Sequence, residues 1–306
     1  MQDLLSILTF QSGLNAAVVL AGAGLLGGAS GLTGVFMLLR KRSLISDVVS
    51  HAALPGLCIG FIAGWLILGQ GRSLPVLMLG SMLGGVGGVL AVQWIRDNTR
   101  LTEDTALASV LSVSFGIGAV LLSVIQQLPT GGMAGLKTML LGSTATLRLV
   151  EAQIIGAAAL MILLACIALA KEFALAAFDP GYAEAGGWPV RRLDLALMGL
   201  MLMVVATGLS TVGLVLIVAL LIIPAATARL CTDRLGVMMV IATLSGAVSG
   251  WLGAGLSALD SHLPAGAVIV LVAGAQFILA VLFGPARGVV PRLMRTRLRG
   301  RGLADD

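Results

Sequence analysis

An aspartate and a histidine stand one helical turn apart at the edge of a long apolar segment. Asp47 and His51 are four residues apart, so on a helix both side chains point to the same face. Ionisable residues are costly inside a membrane span and usually face a partner or a water-filled path. A carboxylate oxygen and a neutral imidazole nitrogen are ligands that first-row divalent metal ions accept. The spacing indicates a metal contact; the alternative is a helix cap at Asp47 and a hydrogen-bonded His51.

Two ligands do not complete a metal site, so tight binding at this pair would need groups from a partner subunit. Weak binding suits a transport path, because the ion must also leave. We therefore expect a transported divalent ion and no permanently bound cofactor. No Ser-His-Asp or Cys-His arrangement can be assembled from the two histidines. No Walker-type lysine follows the two Gly-rich stretches, 22–34 and 80–88. The sequence predicts a transport subunit rather than an enzyme, with any ATP hydrolysed by a separate chain.

The elements that hold the pair are predicted to be membrane-spanning helices. The chain is 58% hydrophobic and only 11% charged, with a mean hydropathy of +1.06, whereas a soluble domain carries about 25% charged residues. Its surface must therefore face a lipid bilayer. Uncharged stretches that are long enough to cross the bilayer predict eight or nine spans. The stretch 195–228 is too long for one straight span and is expected to divide near Thr207. The other stretches are 13–39, 52–71, 73–95, 105–136, 152–170, 235–259 and 263–286.

The basic residues fall almost entirely on one side of the predicted spans. Counted back through nine spans from a cytosolic C-terminus, all but Arg72, Lys137 and Arg148 of the 19 Lys and Arg residues lie in cytosolic segments. Cytosolic loops carry such an excess, so we predict a multi-pass protein of the cell inner (plasma) membrane. We expect one transmembrane permease domain over 10–290 and a basic cytosolic tail over 291–306. Nucleic acid is not an expected partner, because no nucleic-acid-binding module is present.

The longest polar interruption in the middle of the chain lies within 171–192. Asp179 is a good N-cap and Pro180 a good first helical residue. The pair of glycines whose second member is Gly187 is followed by a Trp-Pro dipeptide whose proline is Pro189. These residues should end the helix after about two turns. A short, capped, cytosolic helix offers a surface for a protein partner. The alternative is a plain connecting loop.

A proline is the notable feature of the apolar segment 211–229. Pro224 removes one backbone donor and is expected to kink its helix. Interrupted helices are where membrane transporters place their pathways, so the sequence predicts a helix kink on the pathway at Pro224. The alternative is a kink that serves packing alone.

Three segments resemble the zinc/manganese/iron permease family of ABC importers: RKRSLISDVVSHAALPG, FDPGYAEAGGWPVRR and TVGLVLIVALLIIPAATARL. The stretch that follows from Asp233 is similar too, so the resemblance covers 10–290. It implies an all-α integral membrane protein with the type II ABC importer architecture. That fold class has eight or nine transmembrane helices and a cytosolic coupling helix.

The resemblance also implies partners and roles. The permease would pair with a second copy or a paralogue on cytosolic ABC ATPases, and an extracytoplasmic metal-binding protein would deliver zinc, manganese or iron. Asp47 and His51 match residues in or near the family's metal pathway. The segment 179–189 matches the coupling helix that docks into the ATPase. Its predicted coupling residues are Asp179, Pro180, Tyr182, Ala183, Glu184, Ala185, Gly187 and Pro189.

Three other functions remain open at this stage. A type II permease for a metal chelate, such as a siderophore or haem, shares the architecture but should lack an acidic-histidine pair on its path. An ATP-independent secondary carrier predicts metal uptake that follows proton or sodium gradients, whereas an ABC importer predicts vanadate-sensitive uptake. A structural membrane scaffold predicts no transport phenotype, and the intramembrane position of Asp47 and His51 argues against it.

Overall fold

The computed structural model describes residues 14–40, 43–69, 73–127, 149–209, 214–259 and 263–291. Within these ranges the regular structure is α-helical, which confirms the predicted all-α class. The predicted tail falls outside the described residues from position 292 onward. The helices are α1 Leu14–Leu39, α2 Ser43–Leu68, α3 Leu74–Asn98, α4 Glu103–Gln127, α5 Leu149–Ala168, α6 Ala170–Phe178, α7 Pro180–Ala185, α8 Val190–Leu209, α9 Leu214–Cys231, α10 Leu235–Ser257 and α11 Ala265–Phe283.

Most of these helices can cross a bilayer. In the described part of the chain, seven are long and apolar enough: α1, α2, α3, α4, α8, α10 and α11. Helices α5 and α6 pass the same test together but meet at a bend of 59°, and α9 is a shorter apolar helix. Counted as one span, the bent pair brings the described part of the chain to eight, the lower of the two predicted numbers. The ninth span stays a prediction.

Helix α2 begins earlier than the uncharged stretch at residue 52 suggests. It starts at Ser43, because helical hydrogen bonds continue through polar residues as readily as through apolar ones. Asp47 and His51 therefore lie inside the helix, one turn apart as the spacing predicts. The pair sits in the first turns of α2 rather than in the loop before it.

Helices α2, α3 and α4 form one packed group. Helices α2 and α3 run antiparallel and meet at glycines, where Gly56 faces Gly84. A Cβ on Gly84 would overlap the carbonyl oxygen of Ala52, so this close approach of two backbones requires a glycine. Helix α4 lies alongside α2, with Gly118 against the side chain of Leu54.

Helix α1 is the centre of a second group. Helices α5, α9 and α10 pack directly on it, and α11 packs against α9 and α10. Gly27 of α1 faces Gly246 of α10, and a Cβ on either residue would overlap the other's carbonyl oxygen. On another side, Thr33 Oγ1 lies 3.5 Å from Cys166 Sγ of α5. Small residues thus let the helices approach closely in both groups.

Helix α8 joins the two groups. It contacts α1, α5 and α9 of the second group as well as α2 and α3 of the first. Gly85 of α3 lies where an added Cβ would meet both Leu202 of α8 and Val49 of α2. Because α8 follows α6 and α7 directly in the chain, a displacement of that short segment has a direct path to both groups.

Several helix ends meet at one end of the bundle. At the end of α1, Arg40 bonds Asp194 near the start of α8. At the junctions of α9, α10 and α11, Asp233 pairs with two arginines at N–O distances of 3.1 and 3.0 Å. Helix α7 is held at this end as well, because it connects α6 to α8. We call this end of the bundle the basic end and define it by Arg40, Arg96, Arg229 and Arg287.

Candidate metal pathway and docking segment

The predicted metal ligands are adjacent in the structure. Nε2 of His51 lies 3.4 Å from Oδ1 of Asp47, and their side chains are 19% and 36% exposed, respectively. This separation is too long for a strong hydrogen bond. The two atoms form a nitrogen and oxygen pair that divalent ions such as zinc accept. The geometry agrees with the expected i to i+4 arrangement on one helix face.

The imidazole ring of His51 is held by packing rather than by hydrogen bonds. Phe115 of α4 meets it edge-on, with ring centroids 5.3 Å apart and an interplanar angle of 85°. Nδ1 of His51 is buried and has no hydrogen-bond partner among the described residues. In tight metal sites the second ring nitrogen normally has an outer partner that orients the ligand. The ring is therefore placed by the aromatic contact and is suited to binding that is readily reversed.

No cluster of three or more His, Cys, Asp or Glu residues that could hold a metal ion occurs in the described ranges. A structural zinc site takes four protein ligands and a catalytic one takes three. Asp47 and His51 by themselves thus supply part of a coordination sphere. Further ligands would have to come from water or from outside the described chain.

An open groove continues the face of α2 that carries the pair. It has a volume of about 670 Å³ and lies between α2, α3 and α4. Its lining begins at Ala52, next to His51, and continues along α2 through Pro55 and Ile59. The walls are almost wholly apolar, and Ile59 is 58% exposed. The chain therefore leaves this face of α2 partly uncovered from Asp47 onward.

The predicted short helix is present as α7. The Asp179 side chain accepts a hydrogen bond from the backbone N–H of Tyr182 at 2.9 Å, and Pro180 is the first helical residue. The helix stops at Gly186, and Gly187 adopts a positive φ of 78°, which favours glycine. The sequence-based prediction of a capped helix that ends at the glycines is confirmed.

Helix α7 has one buried contact and a mostly exposed surface. Ala183 is fully buried, whereas Tyr182 and Trp188 are 68% and 45% exposed. The backbone N–H of Trp188 donates to the carbonyl of Ala183 at 2.9 Å, which folds the following loop back on the helix. The other predicted coupling residues here, Glu184, Ala185, Gly187 and Pro189, are exposed. Exposed aromatic rings, here one on a short fixed helix and one in the loop folded back on it, are typical of a protein-binding surface.

Pro224 lies in the middle of α9, which continues through it to Cys231. The residue is buried, and an added Cβ on Gly31 of α1 would stand 3.3 Å from its Cβ. This close contact supports a packing role for the proline. The pathway role of Pro224 stays a prediction.

Two features of the site were not singled out in the sequence. Phe115 packs on the ring of His51, and Asp194 pairs with Arg40. Phe115 is one of many apolar residues in α4, so nothing local marks it. Asp194 carried a weak signal, because a carboxylate at the start of an apolar span calls for a partner.

Comparison with known proteins supports a transport function. The model of the ABC 3 transport family matches residues 14–284. The manganese transport system membrane protein MntC of Bacillus subtilis (strain 168) is 43% identical over 288 residues, which are 93% of this chain and 65% of that protein. The chain therefore spans just under two thirds of that relative's length.

Two further comparisons cover nearly the whole of both chains. The zinc transport system membrane protein TroC of Treponema pallidum (strain Nichols) is 37% identical over 279 residues, which are 91% of this chain and 92% of that protein. A chain of PsaBC from Streptococcus pneumoniae, solved in complex with Fab, matches with a TM-score of 0.79 and 28% identity. The match covers 94% of this chain and 96% of that one.

A bundle of membrane-spanning helices, with an acidic-histidine pair on a partly uncovered face and a short exposed helix at one end, is typical of a polytopic transport protein. The chain belongs to the ABC 3 transport family. The resemblance inferred from its sequence segments is confirmed, as is the ABC permease fold class.

Proposed function

We propose that this chain is the membrane-spanning permease of an ATP-driven importer for divalent transition metal ions. One observation carries the proposal: Asp47 and His51 present an oxygen and a nitrogen 3.4 Å apart on a face of α2 that the chain leaves partly uncovered. The relatives named for manganese and zinc transport support a metal ion as the cargo.

The pair would act as a transient stop for the ion. Oxygen and imidazole ligands suit zinc, manganese and iron, and the missing outer partner of Nδ1 favours modest affinity and fast release. The remaining ligands would be water or groups of a second permease, identical or paralogous, that faces the open side of α2. No permanently bound cofactor is required.

The partners follow from the two ends of the bundle. We place the basic end in the cytosol, because cytosolic loops carry the excess of Lys and Arg; the C-terminus is then cytosolic and the membrane is the cell inner membrane. A cytosolic ABC ATPase would dock on α7 through Tyr182 and Trp188 and would hydrolyse the ATP. An extracytoplasmic metal-binding protein would deliver the ion at the opposite end.

Transport would proceed by alternating access. Closure of the ATPases would displace α7, and α8 would carry that displacement to both helix groups. The spans around Asp47 and His51 would then tilt, so that the ion reaches the pair from one side and leaves it on the other. Pro224 is a candidate position at which α9 bends during this change.

The test is uptake of labelled zinc, manganese and iron into vesicles that contain the chain with its ATPase. Asp47→Ala and His51→Ala are each expected to abolish uptake, because each removes one of two ligands, while membrane insertion and ATPase assembly persist. Ser50→Ala is the matched control, since Ser50 is buried next to His51 and bonds the carbonyl of Ser46 in its own helix. Wild-type uptake by both ligand variants would refute the assignment.

The energy source is tested in the same vesicles. Uptake by the wild-type complex should require ATP and should stop when vanadate is added. Dissipating the proton and sodium gradients should leave it unchanged. Uptake that ignores vanadate and follows either gradient would instead indicate a secondary carrier.

A further inference from the structure

Arg40 holds three helices together at the basic end. Its Nη2 bonds both carboxylate oxygens of Asp194 in α8, and its Nη1 donates to the carbonyl oxygen of Ala176 in α6 at 2.6 Å. The side chains of Arg40 and Asp194 are only 13% and 18% exposed. Hydrogen bonds between a guanidinium and a carboxylate are charge-assisted and are stronger than those between neutral groups. We call Arg40, Ala176 and Asp194 the Arg40 clasp.

The clasp closes the segment that carries α7. Ala176 lies in the last turn of α6, which precedes α7, and Asp194 lies near the start of α8, which follows it. One guanidinium therefore holds the two stems of α7, by which we mean the end of α6 and the start of α8. The Ala176 carbonyl belongs to the last four of its helix, which need partners outside the helix. Because both stems are bonded to Arg40, a displacement of α7 moves α1 and α8 as well. It does not merely change the bend between α5 and α6.

Contacts connect the Arg40 clasp to Asp47 and His51, the proposed metal ligands. Along the chain, α2 begins three residues after Arg40. Through space, Met198 of α8 lines a small cavity together with Ile45 and Val48 of α2, which flank Asp47. A shift of α8 therefore acts on the first turns of α2, where the two ligands lie.

Two other sets of charged residues at the basic end join different parts of the described structure. Asp233 pairs with Arg229 and Arg287 and so joins α9 to the end of α11. Arg96 pairs with its neighbour Asp97 on an exposed surface. The pairs of Asp233 provide a matched control, because they are also arginine–carboxylate pairs at this end of the bundle.

We infer that Arg40 is a positioning residue that transmits movement of the docking helix to the metal pair. The inference rests on the proposed function and adds a residue to its coupling route. Without the clasp, α7 would move with the ATPase, but this movement would no longer displace α2. ATP would then be hydrolysed without a matching movement of metal.

The experiment compares Arg40→Gln and Asp194→Asn with the wild type in the complete complex with its ATPase, reconstituted in vesicles. Labelled manganese uptake and ATP hydrolysis are both measured per assembled complex. We expect uptake per hydrolysed ATP to fall about tenfold, within the range of coupling between distant sites, while the ATPase co-purifies at the wild-type ratio. Arg40→Lys keeps the charge and the pair but not the full set of bonds, so it should lie between. Asp233→Asn should keep the wild-type ratio.

Two results would overturn the inference. One is an unchanged ratio of uptake to hydrolysis in both clasp variants. The other is a parallel loss of uptake and hydrolysis, including in Arg40→Lys, which would mean that the clasp only supports folding. A wild-type complex without ATP-dependent metal uptake would instead overturn the proposed function, so the two failures are distinguishable.

Discussion

Asp47 with His51 and Arg40 with Asp194 are two acid–base pairs near the same end of the molecule. In the first, the facing atoms are 3.4 Å apart and Nδ1 of the histidine has no partner among the described residues. In the second, the guanidinium bonds both carboxylate oxygens and a backbone carbonyl. The incompletely bonded pair keeps the capacity to take a ligand, whereas the fully bonded pair keeps helices in place.

The contrast has an energetic consequence. Breaking a buried, satisfied ion pair leaves one charge without compensation and is strongly destabilising. Removing a side chain that is already loosely paired and partly exposed costs little stability. Stability and transport measurements on the same variants should therefore separate the two pairs.

The largest expected difference is in the free energy of unfolding. Arg40→Ala removes the guanidinium that bonds the partly buried carboxylate of Asp194, so it should destabilise the protein by about 3 kcal/mol, the lower end for breaking a buried pair. Asp47→Ala should change stability by less than about 0.5 kcal/mol, because the side chain is partly exposed and its contact with His51 is long. Unfolding of the purified chain in detergent, followed by circular dichroism, measures both. Equal losses would contradict the distinction between the two pairs.

A smaller loss of stability is expected at the contact between α3 and α2, the helix that carries Asp47 and His51. A methyl group at Gly84 would meet the backbone of Ala52 and Gly56, which cannot move without separating α2 from α3. Gly84→Ala should thus cost about 1–3 kcal/mol, as other overpacking substitutions do. Gly87→Ala is the matched control on the same helix, since nothing lies within 4 Å of its added Cβ. Thermal midpoints in detergent compare the two, and a tolerated Gly84→Ala would argue against this close contact.

The smallest effect concerns the ring that packs on His51. Phe115→Ala removes an edge-on aromatic contact, which contributes about 1 kcal/mol, so the KM for metal uptake should rise about fivefold with little change in maximal rate. Phe115→Tyr keeps the ring and should keep the wild-type KM. An unchanged KM in Phe115→Ala would show that the histidine does not depend on this contact for its position.

Features that depend on neighbouring residues in the chain were predictable. The one-turn relation of Asp47 and His51 follows from their spacing, and the α7 cap follows from Asp179 and Pro180, which act within three or four residues. The apolar stretches likewise predicted the spans. The start of α2 at Ser43 and the bend between α5 and α6 were not predicted, because hydropathy registers charge and length but not where a helix begins or bends.

The sequence by itself determined that this is a helical membrane protein with an acidic-histidine pair and a short capped helix, because hydropathy and local spacing act along one chain segment. Only the tertiary structure decided that Arg40 meets Asp194, 154 positions away, and that Phe115 lies on His51. In a bilayer, helix association depends on shape and close packing of small residues rather than on hydrophobic burial. No local pattern encodes which faces meet, so these contacts appear only once the helices are assembled.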